Sequence, residues 1–132
     1  MERMEKLSSM EKEFVKYTEA LALKELGFDE PCLGYYIKNS SLWCNWLDVK
    51  FNDDPSNDKE DFVADAPLYQ QAFRWFRENH GLIYSIGHIG HTNTWAYEII
   101  NMRIAGPDYG YGETYEEAEL ACLKKLIEIV KK

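Results

Sequence analysis

The sequence predicts a single α+β domain in the order α-ββα-ββα, with a four-stranded antiparallel sheet and the helices packed on one of its faces. Three observations predict it. Residues 67–79, PLYQQAFRWFREN, gather Leu68, Tyr69, Ala72, Phe73, Trp75 and Phe76 on one helical face, with Gln70, Gln71, Arg74, Arg77 and Glu78 opposite. Residues 114–130 repeat such an apolar arc behind a capping signature. Two further stretches, 33–51 and 82–104, alternate with strand periodicity about a short turn.

A chain of 132 residues is long enough to bury one ordinary core. With 45% hydrophobic and 14% aromatic residues it is not a disordered chain. Residues 1–12 are charged and methionine-rich without pattern, so they are expected to form a loose segment ahead of a domain spanning 13–132. Phe14 and Val15 are expected to pack or to form a short strand.

A helix follows over 18–26, with Thr18 as a possible N-cap and Gly27 as its stop. Its apolar face is the weakest of the three, because Leu21 sits off the stripe of Ala22, Leu23 and Leu26. Asp29-Glu30-Pro31 breaks the chain. Residues 33–37 and 42–51 read as two strands around Asn39-Ser40-Ser41. In the second, both parities carry tryptophan, at Trp43 and Trp46.

Residues 52–65 read as an acidic loop that carries Asp53, Asp54, Asp58, Glu60, Asp61 and Asp65 against Lys59. Asp65 or Ala66 is expected to cap the central helix, with Pro67 in its first turn. Asn79-His80-Gly81 ends that helix. Strands over 82–89 and 94–104 enclose a turn at 90–93. Gly106-Pro107 ends the pairing, and Gly110-Tyr111-Gly112 reads as a flexible connector. Thr114 and Glu117 form the capping box of the last helix, whose glutamates gather early and lysines late.

Charge narrows the function classes. The net charge of −8 argues against direct DNA binding, which draws its affinity from neutralised phosphates, and against anionic membranes. It suits solubility, or a basic partner. No run of 18 apolar residues and no signal-peptide layout is present, so a cytoplasmic location is expected. Cys32, Cys44 and Cys122 are irregularly spaced and read as free thiols rather than a disulfide framework or zinc knuckle.

Several side chains could carry chemistry. His88 and His91 share H-x-x-H spacing, but that spacing straddles a strand end and a turn, and no glutamate follows the first as in a helical zinc motif. The acidic loop has oxygen ligands but lacks the glycine and periodicity of a calcium loop. It reads as a solvated loop, or as an electronegative contact surface for a basic protein groove. Trp46 and the connector tyrosines Tyr109 and Tyr111 suit contacts, because such rings bring area at low entropic cost. Arg74 and Arg77 form the one compact basic patch, which reads as a solvated face with Glu78 or as a contact for RNA or a carboxylate.

Three segments, EALALKELGFDEPCLGYY at 19–36, APLYQQAFRWFREN at 66–79 and ETYEEAELACLKKLIEIVKK at 113–132, resemble small accessory proteins of Bacteroidota phages and prophages. The likeness departs at Lys16-Tyr17-Thr18, where a Thr-Tyr-Glu start would be expected. The resemblance brings no catalytic residues. It implies a phage accessory protein, in a class where acidic proteins that disable host defences, anti-CRISPR proteins among them, recur. The leading expectation is therefore a non-catalytic protein that binds a host protein in the host cytosol. An inhibitor engaging the basic RNA- or DNA-binding region of an RNA-guided effector nuclease, or its RNA complex, is the specific form. Its contacts would come from Asp53, Asp54, Asp58, Glu60, Asp61, Trp46, Arg74, Arg77, Tyr109 and Tyr111, with no cofactor. The alternatives are a small metal-dependent enzyme using His88 and His91, and an oligomeric scaffold built through spare aromatic surface.

Overall fold

The computed structural model describes residues 10–44, 49–50, 62–101 and 108–131. It is α+β, and it divides into two compact units, Met1–Gln70 and Gln71–Lys132. Among the described residues the order is α1 (Tyr17–Glu25), β1 (Gly34–Ile37), β2 (Leu42–Cys44), β3 (Val49–Lys50), β4 (Phe62–Ala66), α2 (Tyr69–His80), β5 (Leu82–His88), β6 (Trp95–Asn101), β7 (Asp108–Gly112) and α3 (Tyr115–Lys131). The strands form two antiparallel sheets, β3-β2-β1-β4 and β5-β6-β7, rather than the single four-stranded sheet that the sequence suggests.

One local reversal and two reassigned segments account for the three extra strands. The stretch read as one strand over 42–51 doubles back, so that Cys44 pairs with Val49 and Trp43 with Lys50. Residues assigned to the acidic loop and to a connector supply the other two. Phe62–Ala66 pairs with β1, and Asp108–Gly112 pairs with β6.

In the first unit, β1 is an inner strand of its sheet and is buried along its whole length. The Tyr36 hydroxyl donates to the Val15 carbonyl at 2.7 Å. Burial, and next the Glu11 and Glu19 carboxylates, push the Tyr36 phenol well above its ordinary value. Gly34 is fixed by packing, since a Cβ there would stand 2.8 Å from the Phe14 ring. Helix α1 starts at Lys16, with no side-chain cap, and not at Thr18. It ends as expected. Gly27 takes φ 98°, its N–H donates to Lys24, and the Phe28 N–H donates to Leu23. That pair of bonds is a Schellman closure, completed by burial of Phe28 and Leu23.

Asp65 and Ala66 do not cap α2, because both lie within β4. Instead the Tyr69 N–H donates to the Glu13 carbonyl at 3.0 Å, beside an isolated bridge between Phe14 and Leu68. A backbone carbonyl brought from a distant segment thus satisfies the helix start.

In the second unit, α2 and α3 both cover one face of β5-β6-β7. Phe73 stacks on Tyr84 at 4.0 Å between centroids, and Trp95 meets Tyr115 edge-on at 5.3 Å. Ala72, Phe73 and Phe76 are fully enclosed, as are Ala118, Cys122, Leu123 and Leu126. The capping box forms with one shift in position. The Glu117 N–H donates to Thr114 Oγ1 at 3.1 Å, while its carboxylate accepts from the Glu113 N–H at 2.8 Å. The turn of the β5–β6 hairpin is held by Thr92, whose hydroxyl donates to the Ile89 carbonyl and accepts from the Thr94 N–H.

Candidate functional site

Pairing across the second sheet fixes which side chains share a face. Leu82, Tyr84, Ile86 and His88 align with Asn101, Ile99, Tyr97 and Trp95, and the last three align with Asp108, Gly110 and Gly112. This is the face the helices cover. The other face carries Ile83 beside Ile100, then Ser85, Glu98 and Tyr109 in a row, then Gly87, Ala96 and Tyr111.

An antiparallel sheet with helices on one side ordinarily turns a polar face to water. Here that face is apolar and aromatic. Ile83 and Ile100 are 38% and 46% exposed, and Tyr109 and Tyr111 are 63% and 66% exposed. Exposed apolar and aromatic side chains gathered on one sheet face make it a candidate contact surface. Its charged member is Glu98, directly opposite Tyr109.

The glycines of β7 explain how the tyrosines come to stand there. A Cβ on Gly110 would overlap the Tyr97 ring, and one on Gly112 would meet the Ala118 backbone N at 2.5 Å. Both positions face the helix side, where a Cβ would collide with the Tyr97 ring or with the α3 backbone. The tyrosines between them must therefore point outward. The alternating Tyr-Gly-Tyr-Gly, read from sequence as flexibility, is a strand whose inner positions are pressed flat.

The sequence-predicted residues are divided among several places. Tyr109 and Tyr111 lie together on the outer face of β7. Arg74 and Arg77 are exposed on α2, on the opposite, helix side of the sheet, so the fold does not bring them to the tyrosines. Trp46 and the acidic residues Asp53, Asp54, Asp58, Glu60 and Asp61 lie outside the described residues.

His88 and His91 are not presented together on one strand face. His88 ends β5, with its ring edge-on to Trp95 at 5.0 Å, and His91 is in the exposed turn. Among the described residues no group of three or more His, Cys, Asp or Glu is placed to hold a metal ion. Cys44 and Cys122 are buried and Cys32 is half-buried. Burial, with the Glu119 carboxylate adding to it, pushes the Cys122 thiol up to about 12, which makes it a poor nucleophile. The Tyr97 phenol is raised first by burial and then by its coupling to the neighbouring Cys122, Asp108 and Glu128.

Two clefts lie among the described residues of the first unit. One, of about 350 Å³, is lined by Ala20, Lys24, Phe28, Asp29, Phe62 and Asp65. Its lysine is already engaged, donating to the Val63 carbonyl at 2.7 Å and lying over the Phe62 ring. The other, of about 430 Å³, lies between Lys12, Lys16, Tyr17 and Tyr36, with the Tyr36 hydroxyl committed to Val15.

Sequence reasoning missed Ile83, Glu98 and Ile100. The available signal was that both parities of residues 94–104 are apolar, although helices cover only one face. Among the described residues no helix is long and apolar enough to cross a membrane. Comparison with protein-family models, curated proteins and solved structures finds no match to this chain.

Proposed function

We propose that this chain is a non-catalytic binding protein that engages a host protein through the outer face of β5-β6-β7. The observation that carries the reading is the exposed set Ile83, Ile100, Tyr109 and Tyr111 on a sheet face that no described helix covers. Tyrosines on a rigid strand lose little conformational freedom when they dock, and an adjoining apolar pair supplies desolvation. The net charge of −8 suits a basic partner surface.

The phage-like segments narrow the partner we propose to an RNA-guided effector nuclease of the host, met in the host cytosol at its basic RNA- or DNA-binding region. The test uses a purified effector, its guide RNA and labelled target DNA. Added protein is expected to bind the effector and to suppress target binding or cleavage, and Tyr109→Ser with Tyr111→Ser to relieve the suppression. Unchanged binding and cleavage at saturating protein would remove the inhibitor reading.

A further inference from the structure

We propose that β7 accepts an extended basic segment of a partner protein as an added strand, with lysine or arginine side chains laid over Tyr109, Tyr111 and Glu98. This deepens the protein-binding reading above and rests on it.

Strand β7 is terminal in its sheet. It pairs with β6 on one side and with no described strand on the other. Proteins blunt such edges with lysine, proline or bulges. Asp108–Gly112 contains no lysine or proline, and its pairing with β6 runs without a break in register. Backbone groups on the far side of a regular edge strand are a template for strand addition, while side-chain pockets decide the sequence accepted.

The charges select a cationic strand. β5, β6 and β7 contain no lysine or arginine, and their carboxylates are Glu98 and Asp108. Glu113 follows β7 directly and is exposed. A second copy of this chain would bring another −8 charge to the same edge, so self-addition is disfavoured.

An incoming strand places every second side chain on the outer face. There Tyr109 and Tyr111 stand two residues apart, with Glu98 across from Tyr109. A cation resting on a tyrosine face within reach of a carboxylate gains from both. The accepted pattern is therefore Lys or Arg at alternate positions. The partner side chains between them fall on the face where Gly110 lies under Tyr97.

The test titrates the isotope-labelled full chain with a capped octapeptide of alternating lysine and valine, alongside its glutamate–valine counterpart. The Lys–Val peptide is expected to shift the amides of 108–112 and slow their hydrogen exchange at least about tenfold. Tyr109→Ser with Tyr111→Ser is expected to weaken binding about tenfold or more, and Glu98→Lys to weaken it while leaving the tyrosines in place. Absence of Lys–Val binding at millimolar peptide, equal binding of the Glu–Val peptide, or shifts confined to residues outside β7 would overturn strand addition. A chain that inhibits its effector but ignores the peptide loses this proposal alone. A chain that takes the peptide on β7 but binds no effector loses the effector reading alone.

Discussion

At the scale of single residues, three glycines separate packing from flexibility. A side chain on Gly112 has no space against the Ala118 backbone, whereas a methyl group on Gly87, on the outer face, would meet nothing within 4 Å. Gly112→Ala is therefore expected to cost about 2–3 kcal/mol, and Gly87→Ala to stay within about 0.5 kcal/mol of the parent, both read from urea denaturation. Gly110→Ala is expected to cost less than Gly112→Ala, because its Cβ would meet the tip of the Tyr97 ring, a side chain that can shift, rather than backbone. Asp65 yields a pH-dependent prediction. Burial raises its carboxyl above the ordinary 3.8, and the Lys24 ammonium pulls the other way. A carboxyl raised in the fold binds its proton more tightly folded than unfolded. Its stabilising contribution is complete below the unfolded value and is lost as pH rises through the folded one. Ionised Asp65 thus costs stability at neutral pH. Asp65→Asn is expected to raise the melting temperature at about pH 7 and to give no gain at about pH 3.

At the scale of elements, the helices differ in what holds their ends. Helix α3 is closed by side chains local in sequence, Thr114 and Glu117. Thr114→Ala is expected to cost about 1 kcal/mol in thermal or urea unfolding, because the Glu117 N–H then loses its acceptor. Helix α2 is closed by a remote carbonyl, that of Glu13. Its strong amphipathic pattern was legible in the sequence, but its true cap was not, because nothing local marks Glu13 as the acceptor. The strands follow the same division. The β5–β6 hairpin was legible from alternation around 90–93. Strand β7 was not, because its glycines signal a turn when read alone and only Tyr97 and α3 give them a packing reason. Strand β4 was hidden among acidic neighbours, although Ala64 and Ala66 are fully buried within it.

At the scale of the whole molecule, charge governs how the proposed face meets its partner. With a net −8 and the basic target proposed above, long-range attraction would speed encounter and salt would screen it. The association rate with the effector is expected to fall about tenfold or more between low salt and roughly 0.5 M, with the dissociation rate changing less. Stopped-flow or biosensor kinetics across a salt series checks this.

The sequence by itself determined the α+β class, the two amphipathic helices, the α1 stop at Gly27, the second hairpin and the capping box. Each rests on periodicity or on hydrogen bonds between residues close in the chain. Only the tertiary structure decided that the strands divide into two sheets, that 42–51 doubles back, and that Tyr109 and Tyr111 share an exposed face with Ile83 and Ile100. Strand pairing joins residues far apart in sequence. When both parities of a strand are apolar, alternation cannot say which face is buried. That choice belongs to the helices, and Phe73 on Tyr84 and Tyr115 on Trp95 make it.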